Sequence, residues 1–473
     1  MVYEMVNIDG SHKKIELRPY QKEAIEKWLR NGCKGILSMA TGTGKTIIAI
    51  EAIKEFIYRG EVGLIIVPTK TLLKQWYRII KEYFPRSMIV CCYSGNTKWK
   101  EKLRELARLY TIEKNASLEE GREKIIISTM GTSWKKDFKQ LVSMFGYQNI
   151  VVVIDEVHRI GAIKYRDVLN MQFKRRLGLS ATPTREWDYK GTKMIERYFG
   201  GVVYNYPISQ AIKDGFLTPY KYYIEPVSLT IEEIKKYLKI SEEIKKTVRN
   251  LLSKFKGFSI KEIISMAEDL EVEESTLLSL QNLFVQRRRI IKKCENKYAT
   301  ILKLIEDKGD EFENCLIYCE DYQQLDKLKK LLLERGESAG EYTARMNERK
   351  RDHMIDAMKK GHVKFLLSCK SLDEGVDIPS CDAAILMANS STEREFIQRR
   401  GRLLRLSPKK KFSIIFDLIV VPYVSPRDET PLNEVEAKIL EKEIDRVKFF
   451  AKDSLNAEET LKNLKSISIL LRI

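Results

Sequence analysis

The chain has 473 residues, and its 84 Lys and Arg against 66 Asp and Glu give a net charge of +18. A hydrophobic content of 44% excludes a disordered protein, and the length favours roughly two to four domains. No segment reaches the roughly 18 uninterrupted apolar residues of a membrane span, and the first five residues lack the features of a signal peptide. The basic charge favours a polyanionic partner, with nucleic acid ahead of membrane lipid, and leaves open a lysine-rich surface that only aids solubility.

Short apolar runs alternate with helical stretches through most of the sequence, which predicts parallel sheets covered by helices. The strands predicted in the first half are 35–39, 63–67, 88–92, 124–128, 150–154 and 177–180. A helix is predicted from Thr46 to Tyr58, because the glycine of Arg59-Gly60 is a C-terminal stop signal.

The alternation stops between residues 228 and 294, where the sequence has one glycine, no proline, and Leu and Ile at helical spacing. This pattern predicts an insert of about three or four helices that ends in the basic run Arg287-Arg288-Arg289. Alternation then resumes, with predicted strands at 315–319, 364–368, 383–388 and 412–419. Residues 432–450 are predicted to form one amphipathic helix, which packs onto the second α/β half in preference to docking a partner.

The sequence predicts that the eight cysteines are reduced thiols in the protein interior. The closest groupings, Cys91 with Cys92 and Cys315 with Cys319, have no second pair at metal-site spacing. Because most of the eight lie in predicted strands, we expect them to be reduced core residues of a cytoplasmic protein.

The segment Ala40-Thr41-Gly42-Thr43-Gly44-Lys45-Thr46 is a glycine-bearing turn between a predicted strand and a predicted helix. In this context the backbone N–H groups of the turn and the N-terminus of the helix can surround a phosphate. The two glycines permit the close approach, the lysine would reach the outer phosphates, and the hydroxyl of Thr46 would ligate Mg²⁺. Met39 stands where the strict pattern has glycine, so the turn alone leaves a chance match open.

A second motif follows the run Val151-Val152-Val153-Ile154, which predicts a strand buried on both faces. Sheets of this kind bind their ligands at the carboxyl ends of the strands. There Asp155 would hold the Mg²⁺ shell, and Glu156 would orient and deprotonate the attacking water. The sequence leaves open whether His158 is a turn residue or a coupling residue. Together with the glycine-bearing turn, the two carboxylates predict a site that hydrolyses ATP.

Seven further segments complete a set of nine motifs that resembles, in order, those of the superfamily 2 helicases. They are Arg18-Pro19-Tyr20-Gln21, Pro68-Thr69-Lys70, Ser128-Thr129-Met130-Gly131-Thr132, Ser180-Ala181-Thr182-Pro183, Leu316-Ile317-Tyr318-Cys319, the segment 368–379 and Gln398-Arg399-Arg400-Gly401-Arg402-Leu403-Leu404-Arg405. The resemblance covers residues 17 to about 420, and the Asp-Glu-x-His and Ala-Thr-Pro-Thr-Arg sequences are similar to those of the XPB-like and restriction-subunit-like group.

The resemblance implies roles for the matched residues. Those implied to bind the nucleotide, besides the glycine-bearing turn, are Arg18, Gln21, Gly375 and Asp377. Those implied to act in catalysis are Lys45, Asp155, Glu156, Gln398, Arg402 and Arg405. Those implied to grip the phosphates of a strand are Thr69, Lys70, Thr129, Thr182, Tyr318, Lys370 and Ser371. Arg287 and Arg288 of the insert would add contacts to nucleic acid, unless their helix is only a solvated charged surface.

The predicted fold class is α/β, with two tandem RecA-like parallel-sheet domains and an all-helical insert between them. The predicted boundaries are 1–222 for the ATP-binding domain, 223–295 for the insert, 296–430 for the second RecA-like domain and 431–473 for a helical tail. The resemblance implies a nucleic-acid-dependent ATPase that uses ATP and Mg²⁺ and moves along DNA 3′ to 5′, in DNA repair or phage defence. An RNA helicase, and a motor that recruits a partner such as a nuclease and never unwinds, stay open as alternatives. No membrane association is expected.

Overall fold

The computed structural model describes residues 16–116, 122–184, 188–267, 270–311, 313–343, 345–369, 381–388, 400–401, 403–406, 410–421 and 434–470. These residues form two compact units, one ending at Asp214 and the other beginning at Gly215. The finer division predicted at residues 222, 295 and 430 stays a prediction.

Seven parallel strands form the sheet of the first unit, within the part of the chain that the structure describes. The strands are β1 (Lys34–Met39), β2 (Val62–Val67), β3 (Met88–Cys92), β4 (Lys124–Thr129), β5 (Ile150–Asp155), β6 (Arg175–Ser180) and β7 (Val202–Tyr206). The helices are α1 (Pro19–Arg30), α2 (Lys45–Tyr58), α3 (Lys70–Tyr83), α4 (Trp99–Asn115), α5 (Met130–Ser133), α6 (Lys136–Ser143), α7 (Tyr189–Phe199) and α8 (Ile208–Lys213). The strands predicted for the first half are confirmed, and β7 is an additional strand.

The strand order of this sheet, β3-β4-β2-β5-β6-β1-β7, decides where the sequence motifs meet. The central strands β2 and β5 are almost entirely aliphatic and fully buried, as expected for a parallel sheet covered by helices on both faces. β6 lies between β5 and β1 and pairs with both. Because all these pairs are parallel, the residues that follow β1, β5 and β6 lie along one edge of the sheet.

Six parallel strands form the sheet of the second unit, in the order β10-β11-β9-β12-β13-β8, among the residues that the structure covers. The strands are β8 (Tyr220–Ser228), β9 (Cys315–Cys319), β10 (Ala339–Glu341), β11 (Phe365–Cys369), β12 (Ala383–Leu386) and β13 (Ser413–Val421). The helices are α9 (Ile231–Lys254), α10 (Ile260–Ser265), α11 (Glu274–Lys292), α12 (Asn296–Lys308), α13 (Tyr322–Glu334), α14 (Glu348–Lys359), α15 (Glu434–Ala451) and α16 (Ala457–Leu470).

Helices α9, α10 and α11 occupy the stretch that was predicted to be helical. They pack around a small apolar cluster of their own, centred on Ile244, Leu251, Ile263 and Leu280. The preceding strand, β8, crosses the boundary predicted at residue 222 and pairs with β13 of the second sheet. That the three helices form an insert between two domains stays a prediction.

The C-terminal tail differs from its prediction, because it contains two helices and not one. The segment between α15 and α16 is Lys-Asp-Ser-Leu-Asn, and its Asp, Ser and Asn are residues that favour turns. This turn lies alongside the edge strand β8, because the N–H of Leu455 donates to the carbonyl of Tyr220 at 2.8 Å. The Asn456 side chain bonds both the N–H and the carbonyl of Tyr222, at 2.8 and 3.2 Å. The tail therefore packs on the second unit, as expected.

All eight cysteines are free thiols; six are buried, and Cys33 and Cys91 are partly buried. Burial raises the pKa of the Cys294 and Cys91 thiols to about 11, so these thiols stay protonated near neutral pH. Across the described ranges, no helix is long and apolar enough to cross a membrane.

Candidate nucleotide site

The phosphate loop is the turn between β1 and α2. Gly42 and Gly44 have φ of +90° and +79°, in the left-handed region that glycine adopts without strain. A Cβ on Gly44 would come within 2.7 Å of Nε2 of Gln21, so the Gln21 amide would have to shift. The Thr41 hydroxyl is buried with no hydrogen-bond partner among the described residues. A bound phosphate oxygen would satisfy this hydroxyl, so the loop fits the phosphate role predicted for it.

Side chains of the loop hold its shape. The Thr43 hydroxyl donates to the carbonyl of Ala40 at 2.7 Å. The Lys45 ammonium donates to the carbonyls of Met39 and Ala40, at 3.0 and 3.4 Å, and so lies against the loop. Lys45 and Thr46 are the first two residues of α2, which places the ammonium and the hydroxyl at the helix N-terminus where a phosphate and its Mg²⁺ are expected.

The predicted adenine motif lies directly against this loop. The Tyr20 hydroxyl and the Gln21 amide donate to the carbonyl of Thr43, at 2.7 and 3.4 Å. The N–H of Arg18 donates to Oε1 of Gln21 at 3.0 Å, which orients the amide. The Tyr20 ring stacks on Tyr206 of β7, with centroids 4.2 Å apart and planes 7° from parallel. The sequence indicated the motif, but not the stacking partner, because β7 was not predicted.

Asp155 is the last residue of β5 and its side chain is nearly inaccessible, with 8% of the residue exposed. Its Oδ2 accepts a hydrogen bond from Nε1 of Trp76 at 3.0 Å, and its Oδ1 accepts one from the N–H of Glu156 at 2.9 Å. Burial raises the pKa of Asp155 above its ordinary value, against the opposing effects of the Trp76 hydrogen bond and the Lys45 charge. A bound cation would compensate this buried carboxylate, which fits the Mg²⁺ role predicted for it.

Glu156 and the motif after β6 are joined through one histidine. Glu156 has a left-handed backbone, with φ of 48° and ψ of 51°, an uncommon conformation for a residue other than glycine. Nδ1 of His158 lies 3.5 Å from Oε2 of Glu156 and 3.1 Å from the hydroxyl of Ser180. That hydroxyl in turn accepts a hydrogen bond from the N–H of Thr182 at 3.2 Å. His158 is 3% exposed, and its position favours the coupling alternative over a plain turn residue.

Four predicted strand-contact residues of the first unit follow its strands. Thr69 is the cap of α3, and its hydroxyl accepts from the N–H of Leu72 at 3.3 Å. The Lys70 ammonium lies 4.7 Å from the ring centroid of Tyr93. Thr129 ends β4 and is buried, while the Thr182 backbone bonds Ser180 as described above. These residues lie at the carboxyl ends of β2, β4 and β6, and their contacts with a strand stay a prediction.

Two predicted nucleic-acid contacts in the second unit need correction. Tyr318 lies inside β9, whose five residues are all buried, and only 1% of its surface is exposed, so its ring has no surface to offer a strand. Arg287 lies over the rings of Tyr237 and Phe284, with its guanidinium 5.7 and 5.5 Å from their centroids. Arg287 therefore packs within the helical stretch, whereas Arg288 is exposed.

Acidic residues pair with Arg289 and with two lysines that follow the basic run. Lys292 pairs with Glu320 at 2.9 Å, and Lys293 pairs with Asp321 at 2.8 Å. Arg289 also reaches Asp321, at 3.2 Å. These pairs connect the end of α11 to the residues that follow β9, so Arg289, Lys292 and Lys293 neutralise carboxylates of their own unit.

Several predicted site residues lie outside the described residues: Lys370, Ser371, Gly375, Asp377, Gln398 and Arg402. Arg405 is described, and burial lowers the pKa of its guanidinium from the ordinary value. Lys410 is partly buried and donates to the carbonyls of Leu403, at 2.6 Å, and Cys381. Burial lowers the pKa of Lys410 to about 8.

The sequence matches two protein-family descriptions. Residues 14–185 match "Type III restriction enzyme, res subunit", and residues 296–407 match "Helicase conserved C-terminal domain". The chain is 26% identical over 412 residues to the DNA 3′-5′ translocase XPB2 of Sulfurisphaera tokodaii, covering 85% of this chain and 81% of that protein. It is 22% identical over 391 residues to the DNA 3′-5′ helicase XPB of Mycobacterium tuberculosis, covering 82% of this chain and 58% of that protein.

Two solved structures share the fold. The helicase domain of Pyrococcus furiosus Hef superposes with a TM-score of 0.52 at 17% identity, covering 85% of this chain and 95% of that one. The Type ISP restriction-modification enzyme LlaBIII bound to DNA superposes with a TM-score of 0.60 at 16% identity, covering 93% of this chain and 30% of that one. Both likenesses support the two-sheet α/β fold described above.

Proposed function

Because this chain belongs to superfamily 2 of the helicases, in the group of XPB-like and ResIII-type enzymes, we propose that it is an ATP-driven motor that moves along DNA from 3′ to 5′. The observation that carries the proposal is the contact chain from Glu156 through His158 to Ser180 and Thr182. It joins the carboxylate that would activate water to a segment predicted to grip a strand. Such a connection is what a motor needs and a simple ATP-binding protein does not.

ATP, bound as its Mg²⁺ complex, would supply the phosphoanhydride bond whose hydrolysis releases the free energy for movement. In this proposal the loop N–H groups and Lys45 bind the phosphates, and Arg18 and Gln21 bind the base. Thr46 and Asp155 hold the metal ion, and Glu156 takes the proton of the attacking water. A displacement of Glu156 would move His158 and therefore the segment that contains Thr182.

We assign the second unit's part of the reaction from the family motifs. Arg402 and Arg405 would stabilise the charge that develops on the γ-phosphate, and an arginine in this role is worth roughly 10³–10⁵ in turnover. Gln398 would act in catalysis, and Gly375 and Asp377 would bind the nucleotide, as the family motifs imply. Lys370 and Ser371 would bind strand phosphates together with Thr69, Lys70, Thr129 and Thr182. Such contacts carry no sequence information, so the proposed motor moves along any sequence.

Trp76 acts on the proposed metal site through its hydrogen bond to Asp155. Replacing it by Phe keeps most of the packing but removes the hydrogen bond to Asp155, so the pKa of that carboxyl should rise further and protons should compete better with Mg²⁺. We expect the Mg²⁺ concentration for half-maximal ATP hydrolysis to rise roughly 10–100-fold. A Mg²⁺ titration of the steady-state rate measures this shift.

The matched control for Trp76→Phe is Trp28→Phe. Trp28 is equally buried, and its Nε1 donates to the carbonyl of Arg176 at 3.0 Å, so the variant loses a similar hydrogen bond away from Asp155. It should leave the Mg²⁺ requirement unchanged. An equal shift in both variants would mean that Trp76 acts through packing alone.

Nucleic-acid contact by the helical stretch is proposed for four exposed basic side chains that share one face of α9. They lie at helical spacing, and they are Lys235, Lys239, Lys246 and Arg249. If they bind phosphates, replacing all four by Gln should lower the slope of log affinity against log salt by roughly 3 to 4. The affinity for DNA would be measured by fluorescence anisotropy between low and moderate salt.

The control for the α9 variant changes one arginine and three lysines on a different surface. These residues lie on or just after α14 and are also exposed: Arg349, Lys350, Lys359 and Lys360. Their replacement by Gln should leave the salt slope unchanged. Equal slopes for the wild-type protein and the α9 variant would remove this helix from the strand-binding surface, and Arg288 would be the remaining candidate of that stretch.

The proposed function is tested by measuring ATP hydrolysis with no nucleic acid, single-stranded DNA, duplex DNA, forked DNA and RNA. Stimulation by DNA together with strand displacement on forks is expected. Stimulation by RNA alone would overturn the assignment to DNA. Duplex stimulation without strand displacement would identify a motor that never unwinds, which would act by recruiting a partner such as a nuclease.

We place the protein in the cytoplasm, with a role in DNA repair or phage defence. The free cysteines are those of a reducing compartment. Both processes are compatible with the names of the matched proteins, which include XPB helicases and restriction-enzyme subunits.

A further inference from the structure

The segment 400–406, which carries Arg405, is held through three consecutive backbone carbonyls. Thr218, two residues before β8, donates to two of them, from its N–H at 2.7 Å and from its hydroxyl at 3.2 Å. The Lys410 ammonium donates to the third at 2.6 Å. The C-terminal end of this segment is therefore fixed to the second sheet.

The other end of the segment is fixed by the C-terminal tail through Arg400. Its Nη1 donates to the Tyr220 hydroxyl at 2.8 Å and lies 3.4 Å from Oδ2 of Asp453, in the turn between α15 and α16. The guanidinium also lies 5.5 and 5.6 Å from the ring centroids of Tyr220 and Phe450. Arg400 is 3% exposed, so this side chain is enclosed by β8 and the tail.

Burial makes Arg400 dependent on Asp453. A guanidinium removed from water is destabilising unless a carboxylate compensates it, and loss of one partner of a buried pair leaves the other charge uncompensated. Without Asp453 the Arg400 side chain should move towards water. One helical turn links the two ends of the segment, since the N–H of Leu404 donates to the carbonyl of Arg400 at 3.0 Å. A movement of Arg400 would therefore distort this turn, and with it the direction of the Arg405 side chain, although Thr218 holds the Arg405 carbonyl.

We propose that Asp453 is a positioning residue for ATP hydrolysis: through its ion pair with Arg400, the C-terminal tail holds the segment that carries Arg405 in the orientation that catalysis requires. This inference rests on the proposed function, in which Arg405 stabilises charge on the γ-phosphate. The tail is then part of the catalytic apparatus, although none of its described residues need touch the nucleotide.

The test is Asp453→Ala in the full chain, measured by steady-state ATP hydrolysis with saturating single-stranded DNA. A misplacement of about 1 Å at a reacting centre can lower turnover by roughly 10²-fold, so we expect kcat to fall between about 10- and 100-fold. The KM for ATP and the affinity for a non-hydrolysable analogue should stay unchanged, because the phosphate loop belongs to the first unit. If Asp453→Ala is too unstable, Asp453→Asn removes the charge and keeps the shape.

Asn456→Ala is the matched control. Asn456 lies in the same turn and also attaches the tail to β8, but it bonds the backbone of Tyr222 and not Arg400. This variant should unfold at a lower temperature and keep the wild-type kcat below that temperature. An equal loss of kcat in both variants would show that general docking of the tail matters, and would overturn the role of Asp453.

A double variant tests whether Asp453 acts through Arg400. Arg400→Ala with Asp453→Ala should be no slower than Arg400→Ala alone, whereas additive losses would contradict the proposed connection. A folded Asp453→Ala protein with wild-type kcat would also overturn the inference. If the wild-type protein hydrolyses ATP without stimulation by any nucleic acid, the proposed motor function fails, and the same comparisons on the basal rate decide the role of Asp453.

Discussion

Replacing Glu156 by glutamine should lower the rate of ATP hydrolysis by roughly 10²–10⁴-fold and leave ATP binding intact. The amide has the shape of the carboxylate but cannot accept the proton of the attacking water. Glu156 follows the buried strand β5 and lies 3.5 Å from Nδ1 of His158. Single-turnover hydrolysis measures the chemical step, and a fluorescent ATP analogue measures binding separately.

Glu61→Gln controls for the loss of a partly buried carboxylate in the same unit. Glu61 precedes β2, at the opposite end of the sheet, where it pairs with Arg175 at 2.7 Å. This variant should hydrolyse ATP at the wild-type rate. Normal turnover in Glu156→Gln would mean that another group activates the water, and our choice of catalytic base would be wrong.

Replacing Lys45 by alanine should lower turnover by roughly 10²–10⁴-fold. The ammonium lies against the phosphate loop, and a phosphate would replace the two loop carbonyls that it now contacts. Two charge-assisted hydrogen bonds of about 1.5–3 kcal/mol each correspond to a loss of roughly 10²–10⁴-fold. The affinity for ATP should fall as well, in contrast to Glu156→Gln, because the lysine binds the ground state too.

Lys54→Ala is the control on the same helix. Lys54 lies further along α2 and pairs with Glu51 at 3.6 Å. It should retain wild-type hydrolysis and ATP affinity. A Lys45→Ala protein that keeps its affinity for ATP would place the phosphates away from this loop.

The sequence predicted most of the two sheets, because their central strands are apolar runs buried on both faces. The strands that escaped prediction lie at sheet edges. In β8 buried and partly exposed residues alternate, and Pro226 interrupts the apolar run, so it lacks the continuous signal of β5. β10 has only three residues, which is too short to show a period.

The sequence predicted the motifs of the candidate site but not the contacts between their residues. The spacing of Asp155 and Glu156 after a strand could be read directly, whereas the hydrogen bond from Trp76 joins residues that only the fold brings together. Tyr318 shows the opposite error. A motif match gave it a strand contact, but the burial of its strand on both faces leaves it in the interior. Residue type and spacing indicate chemistry, whereas exposure depends on the neighbouring elements.

The attachment of the tail to β8 also protects the protein from self-association. A strand at the edge of a sheet presents unpaired N–H and carbonyl groups that another chain can extend, which is a route to aggregation. Here the backbone groups of Tyr220 and Tyr222 are occupied by Leu455, Asn456 and Thr460. A fragment that ended after β13 would expose this edge. Such a fragment should therefore be prone to self-association, even with its sheet complete.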